Sequence, residues 1–229
     1  MPDSAPNAEL LRSLGRLVRG LSILFWGLPV ALVVCILTAM MGMLRPFNIL
    51  PPLATTAWLV IGLWHLGHFQ KQERIWILAL ERAKMLAVVN AGLSPFLFWW
   101  NQRPSEQWFL VMVAVMAVTG LLFMMSLNLV LYRLTAMLPD EALREETRQF
   151  TALNRLLLLG ILLLGIVLLV LMHHPIALMT PFDFLMTLAS GGLWIWLLVF
   201  LFLLPLAMTM ALLWKIKEVI LDSVFGAGR

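Results

Sequence analysis

The sequence predicts an all-α integral membrane protein: a bundle of six transmembrane helices with both termini in the cytoplasm and amphipathic helices along the cytoplasmic face. Two observations support this fold class. Hydrophobic residues make up 62% of the 229 residues and charged residues only 12%, whereas soluble domains are about half apolar and a quarter charged. Apolar runs of about 20 residues, the length that crosses a bilayer, also recur along the chain. These properties exclude a water-soluble domain.

The apolar runs place the six spans at 21–44, 50–69, 86–100, 108–132, 156–172 and 185–214. The third span is short and contains polar or helix-breaking residues, namely Asn90, Gly92, Ser94 and Pro95. This span is long enough to cross only if the bilayer is locally thinner or if residues 80–85 add to its length. Orientation nevertheless requires this span. With six spans, all of the 16 basic residues except Arg45 and Arg103 fall on the cytoplasmic side, in agreement with the positive-inside rule.

Residues 1–20 are predicted to form a basic amphipathic helix. On a helical wheel, Arg12, Arg16 and Arg19 lie opposite a set of apolar residues, namely Leu10, Leu11, Leu14, Leu17, Val18 and Leu21. A helix of this kind lies on the cytoplasmic leaflet, although a basic flank that only sets orientation has the same pattern. The apolar run that follows has no small-x-small cleavage site, so we expect it to remain as the first span.

Two further cytoplasmic segments have helical patterns. Asp140 is a potential cap for a helix that continues through Asn154 into the fifth span, with Glu145 and Arg148 paired on its surface. Residues 215–229 extend the sixth span as a C-terminal helix. The apolar side of this helix packs along the membrane or against a partner, and consists of Ile216, Val219, Ile220 and Val224.

Several function classes lack the residues that they require. Cys35 is the only cysteine, which excludes an internal disulfide and a CxxC redox pair. The net charge of +4 comes from basic residues beside the spans, so it reflects membrane orientation and does not predict a nucleic-acid partner. The sequence has no HExxH, GxGD or GxSxG motif. Asp183 has no nucleophile or second carboxylate beside it, so we predict no catalytic residue, no cofactor and no enzyme activity.

Neutral polar residues within the spans are the groups that any activity would have to use. They are Thr55, Thr56, Asn90 and Ser94 in the second and third spans and Asn128 in the fourth. Because a polar side chain in hydrocarbon needs a partner, these residues either pack helices together or line a path for a solute. No charged residue lies at mid-depth, which argues against a transporter that relies on a buried carboxylate.

One pair of histidines is a candidate metal site. His65 and His68 are three residues apart on one helical face, where two imidazoles could ligate a metal or a haem iron. The alternative is a structural role, in which both rings make hydrogen bonds at the interface. His173 and His174 lie at the opposite membrane face, and neighbouring residues on a helix point about 100° apart. They are therefore poor joint ligands.

Three functions remain open from the sequence. The first, which we favour because no catalytic set is present, is a non-catalytic subunit or scaffold that binds other membrane proteins or further copies of itself. The second is a small transporter or channel with a neutral polar path between the second, third and fourth spans. The third is a membrane subunit that carries haem or a metal on His65 and His68. We expect a multi-pass protein of the cell inner membrane, because signal peptide, disulfides and glycosylation sequons are all lacking.

Overall fold

A computed structural model describes residues 4–67, 69, 74–137, 141–173 and 193–225, and within these ranges all regular structure is helical. In chain order the helices are α1 (Ser4–Met40), α2 (Leu50–Leu66), α3 (Arg74–Leu93), α4 (Pro95–Gln102), α5 (Gln107–Ala136), α6 (Glu141–His173) and α7 (Leu193–Phe225). A short 3-10 helix, Gly42–Phe47, joins α1 to α2. The predicted all-α class is confirmed for this part of the chain.

Four helices are long and apolar enough to cross a membrane. Their apolar parts are Arg12–Met40 in α1, Gln107–Ala136 in α5, Arg144–Val167 in α6 and Val199–Asp222 in α7. The helix α2 is apolar but shorter, with 17 residues. When α3 and α4 are counted together as one unit, the number of helices agrees with the six predicted. The chain therefore has the helices of a multi-pass membrane protein.

The predicted third span is divided between two helices. Ser94 is the single residue between α3 and α4, and its N–H donates to the Asn90 carbonyl at 2.9 Å. Pro95, which follows it, has no N–H and cannot continue the hydrogen-bond ladder of α3. Because α3 begins at Arg74, residues 80–85 are helical, and α3 and α4 together are longer than the apolar run 86–100.

The basic segment at the start of the chain continues into the first span without a break. Instead of a separate surface helix, α1 runs from Ser4 to Met40 as one helix. Part of the apolar face that we expected to contact lipid packs inside the protein. Leu17 and Leu21 are fully buried in the main core, and Leu14 and Val18 pack against that core. Intramolecular packing therefore uses a face that the sequence assigns to the membrane surface.

Two segments that the sequence assigns to the cytoplasm are helical, as predicted. The helix α6 is continuous from Glu141 into the fifth span, and Glu145 pairs with Arg148 at 3.6 Å. The helix α7 continues to Phe225, and Ile216 and Ile220 on its apolar side are fully buried within the same chain. Other predicted features lie outside the described residues: the Asp140 cap, His68, His174, Asp183, the start of the sixth span at 185 and residues 226–229.

Contacts between helices place most charged residues at one end of the bundle. Phe25 of α1 packs on Trp214 of α7, with ring centroids 5.5 Å apart. Next to Trp214, Lys215 pairs with Glu146 of α6. Leu17 and Leu21 of α1 also share the main core with Ile216 and Ile220 of α7. The first half of α1, the start of α6 and the end of α7 therefore lie together, and we call this the charged end. At the opposite end, Arg45 donates to Asn101 of α4 at 3.2 Å.

Candidate functional site

Three polar side chains from three helices meet in a buried cluster. Asn128 of α5, Asn154 of α6 and Thr209 of α7 are each at most 2% exposed. The Oγ1 of Thr209 accepts a hydrogen bond from Asn128 Nδ2 at 3.2 Å and another from Asn154 Nδ2 at 3.0 Å. One hydroxyl oxygen therefore links three helices.

Backbone carbonyls complete the bonding of this cluster. The Pro205 carbonyl in α7 accepts from Thr209 Oγ1 at 2.8 Å and from Asn154 Nδ2 at 3.2 Å. Asn128 Nδ2 also donates to the Met124 carbonyl at 2.9 Å. Each amide nitrogen carries two hydrogens and each has two acceptors here. Both NH₂ groups are therefore satisfied, as expected for buried donors.

A stripe of polar groups on α6 leads from this cluster towards the charged end. Thr147, Thr151 and Asn154 are spaced by four and three residues, which places them on one helical face. The hydroxyls of Thr147 and Thr151 and the Oδ1 of Asn154 are buried and have no hydrogen-bond partner. Beside Thr147 in the sequence, Glu146 forms the ion pair with Lys215 of α7. The two amide NH₂ groups of the cluster are thus fully bonded, whereas the Oδ1 of Asn154 and the hydroxyls of Thr147 and Thr151 are unpaired.

The polar residues predicted in the second, third and fourth spans occupy separate places. Asn90 accepts from Thr119 of α5 through its Oδ1 at 3.0 Å. Thr56 donates to Ser94 at 3.4 Å, and Thr55 bonds to the carbonyls of its own helix. Asn128 bonds to Thr209 of α7 instead of a residue of α2 or α3. Four of these five residues therefore make local links between helices, and Thr55 bonds only within α2.

Of the candidate metal ligands, only His65 can be described. Its Nδ1 lies 2.8 Å from the Ile61 carbonyl one turn earlier in α2, a structural hydrogen bond. In the described ranges, no three residues of the types His, Cys, Asp and Glu lie close enough together to hold a metal ion.

The three basic residues predicted at the membrane surface lie at the charged end. Arg12, Arg16 and Arg19 are all exposed on α1. They flank Leu17 and Leu21, which are buried on the other side of the helix. The predicted division of this segment into a basic and an apolar face is therefore present in the structure.

Sequence reasoning missed four residues of the polar site: Thr147, Thr151, Asn154 and Thr209. The spacing of Thr147, Thr151 and Asn154 indicates that they lie on one face of a helix that the sequence predicts. The charged neighbours of these residues made the segment look like a solvent-exposed helix. Nothing in the sequence shows that Thr209 meets this face.

Comparison with known proteins adds no functional information. No protein-family model matches the chain, and no curated protein or solved structure is significantly similar to it. Function must therefore be argued from the geometry.

Proposed function

We propose that the protein is a non-catalytic subunit or scaffold of a membrane complex, and that its charged end docks protein partners. The proposal places it in the cell inner membrane as a multi-pass protein. The charged end and both termini face the cytoplasm, because basic residues concentrate on that side of a membrane.

The observation that carries this proposal is the length of three helices that reach the charged end. The helices α1, α6 and α7 have 37, 33 and 33 residues. At 1.5 Å per residue they are about 50–55 Å long, against a hydrocarbon core of about 30 Å. The helical turns that exceed the thickness of the membrane are continuous with the membrane-spanning turns. They therefore form rigid helical projections.

These projections carry charges of both signs. The basic residues Arg12, Arg16 and Arg19 are exposed on α1, and the acidic residues Glu218 and Asp222 are exposed on α7. The start of α6 exposes both signs, with Glu141, Arg144, Glu145 and Arg148. An anionic lipid surface selects basic residues alone, whereas a protein partner is recognised through a complementary pattern of both signs. The mixed surface therefore favours a protein partner.

The polar contacts at depth support a structural role for the bundle. The Asn90–Thr119 and Thr56–Ser94 contacts each join two helices, and each polar group bonds to its neighbour or to its own helix. A path for a solute between the second, third and fourth spans would need such groups to face a common opening. Their local pairing favours helix packing.

Extraction of the protein from its native membrane in a mild detergent tests the proposal. We expect it to emerge in fixed proportion with other membrane or cytoplasmic proteins, as determined by mass measurement and composition of the assembly. Two sets of variants locate the docking surface. One changes Arg12, Arg16 and Arg19 to Gln, and the other changes the exposed carboxylates Glu141, Glu145, Glu218 and Asp222 to amides. At least one set should release the partners.

Matched controls lie at the other end of the bundle. Arg103→Gln and Glu106→Gln alter exposed charges of both signs next to α4, and the partners should stay bound. Protein that emerges alone, or only with copies of itself, would contradict the proposal and favour transport. Equal loss of partners in the controls would place the docking surface elsewhere and overturn its assignment to the charged end.

A further inference from the structure

A cleft opens between the end of α4 and the start of α5, at the end of the bundle opposite to the charged end. It has a volume of about 400 Å³ and is lined by Trp99 and Gln102 of α4, by Arg103 directly after α4, and by Phe109 of α5. Pockets that hold small molecules commonly measure about 300–1,000 Å³. The subunit proposal gives this cleft no role.

The position of the cleft along α5 corresponds to the headgroup region of a bilayer. At its other end, α5 reaches the charged end, where the Ala136 carbonyl accepts a hydrogen bond from Arg144 of α6 at 3.2 Å. The helix from Phe109 to Ala136 is about 40 Å long at 1.5 Å per residue. A bilayer is about 40–45 Å thick when its headgroup regions are included. In a multi-pass arrangement, the cleft therefore lies where acyl chains meet headgroups.

Aromatic rings form the apolar wall of the cleft. The ring centroids of Trp99 and Phe109 are 6.3 Å apart, and Phe96 packs against both, at 5.2 Å from Trp99 and 6.4 Å from Phe109. Aromatic pairs at these distances are favourable, so the cluster holds α4 and α5 at a fixed separation. Trp99 remains 38% exposed. Its exposed ring surface can therefore contact an apolar chain.

The polar rim of the cleft provides hydrogen-bond donors for an anion. Gln102 and Arg103 are exposed, and their amide and guanidinium groups carry several N–H donors. Among the residues that the structure describes, Arg103 forms no ion pair, whereas Arg45 donates to Asn101 at 3.2 Å. Glu106 is the only acidic residue in the connection from Arg103 to α5. With Arg45 and Arg103 against this one carboxylate, the described residues around the cleft favour a negatively charged ligand.

We propose that this cleft binds an anionic phospholipid. Arg103 and Gln102 donate to the phosphate, and an acyl chain lies on the rings of Trp99 and Phe109. A guanidinium can donate two parallel hydrogen bonds to a phosphate, and aromatic residues at a membrane interface suit a ligand with one polar and one apolar end. Inorganic phosphate would meet the same donors but would leave the rings without an apolar partner. The ammonium of a zwitterionic headgroup would lie close to Arg103, which disfavours it.

Lipid titration of the full chain in detergent tests this site. Phosphatidylglycerol is the anionic probe, phosphatidylcholine with the same acyl chains is the zwitterionic one, and native mass spectrometry measures the bound lipid. We expect phosphatidylglycerol to bind more tightly than phosphatidylcholine. Arg103→Gln should weaken the binding of phosphatidylglycerol at least about tenfold, because it removes a charge-assisted hydrogen bond. Since Arg103 is exposed, the Tm without lipid should stay that of the native protein.

The matched control is Arg12→Gln, which removes an exposed positive charge at the charged end. This variant should bind phosphatidylglycerol as tightly as the native protein does. Equal weakening in Arg12→Gln and Arg103→Gln would show a general attraction between opposite charges and would overturn the proposed site. Unchanged binding in Arg103→Gln would overturn it as well.

Thermal unfolding distinguishes a lipid from a free anion in the same cleft. A ligand that binds only the folded protein raises the Tm, so phosphatidylglycerol should raise it in the native protein and less in Arg103→Gln. Inorganic phosphate at the same concentration should leave the Tm unchanged. An equal rise with inorganic phosphate would overturn the assignment of a lipid. Neither measurement requires a protein partner, so the test is independent of the subunit proposal.

Discussion

Replacement of Gly20 by alanine is expected to destabilise the protein by about 1–3 kcal/mol, the usual effect of overpacking. Gly20 of α1 packs directly against α2. A Cβ atom at this position would lie 2.9 Å from the Gly62 carbonyl oxygen and would also collide with the Leu66 side chain. The backbone oxygen cannot turn away, so α1 must move off α2. Gly20→Leu should have a larger effect.

The control for this prediction is another glycine of the same helix. Gly15 is exposed, and a Cβ atom built there meets nothing within 4 Å. Because alanine is a better helix former than glycine, Gly15→Ala should raise the free energy of unfolding by about 1 kcal/mol. Denaturant or thermal unfolding in detergent should therefore give effects of opposite sign. A stabilising Gly20→Ala would contradict the close packing of α1 on α2.

Replacement of Thr209 by valine is expected to weaken the attachment of α6 to the bundle. The main core cluster draws on α1, α2, α3, α5 and α7, with none of its described members on α6. The contacts of α6 with α7 depend in part on the hydroxyl of Thr209, which accepts from Asn128 and Asn154. Interhelical hydrogen bonds of this kind contribute about 1–2 kcal/mol in model peptides. We expect Thr209→Val to lower the free energy of unfolding by about this amount.

Thr135→Val is the matched control for the loss of a buried hydroxyl. Thr135 of α5 is also fully buried, but its Oγ1 donates to the Tyr132 carbonyl of the same helix. Its replacement removes a local bond and leaves the contacts between helices in place, so we expect a change of about 0.5 kcal/mol or less. Hydrogen exchange should show faster opening of α6 in Thr209→Val alone. Equal effects in both variants would mean that the cluster does not hold α6.

The features that follow from hydropathy and local pattern were predictable from the sequence. Apolar runs identified the four helices that are long enough to cross a membrane, and the charged residues after Met137 predicted the continuous helix α6 with its Glu145–Arg148 pair. Both depend on properties of consecutive residues. The division of the third crossing at Ser94 was likewise indicated by Pro95, because proline interrupts a helix for local steric reasons.

The polar site was not predictable in the same way. Asn128 was identified as a polar residue in a span, but its expected neighbours were α2 and α3, and its actual partner is Thr209 on α7. Which residues meet depends on the rotation and pairing of whole helices, and these are determined by packing across the bundle. The same reason explains α1, where Leu17 and Leu21 have the pattern of a lipid-facing surface but pack inside the protein.

The side of the membrane on which Gln102 lies distinguishes six crossings from five. If α3 and α4 cross the membrane together, the connection between α4 and α5 lies opposite the charged end. A topology reporter that is active only outside the cytoplasm, fused after Gln102, should be active. The same reporter fused after Met137, between α5 and α6, should be inactive. An inactive reporter after Gln102 would contradict the six-crossing arrangement, and with it the cytoplasmic docking surface.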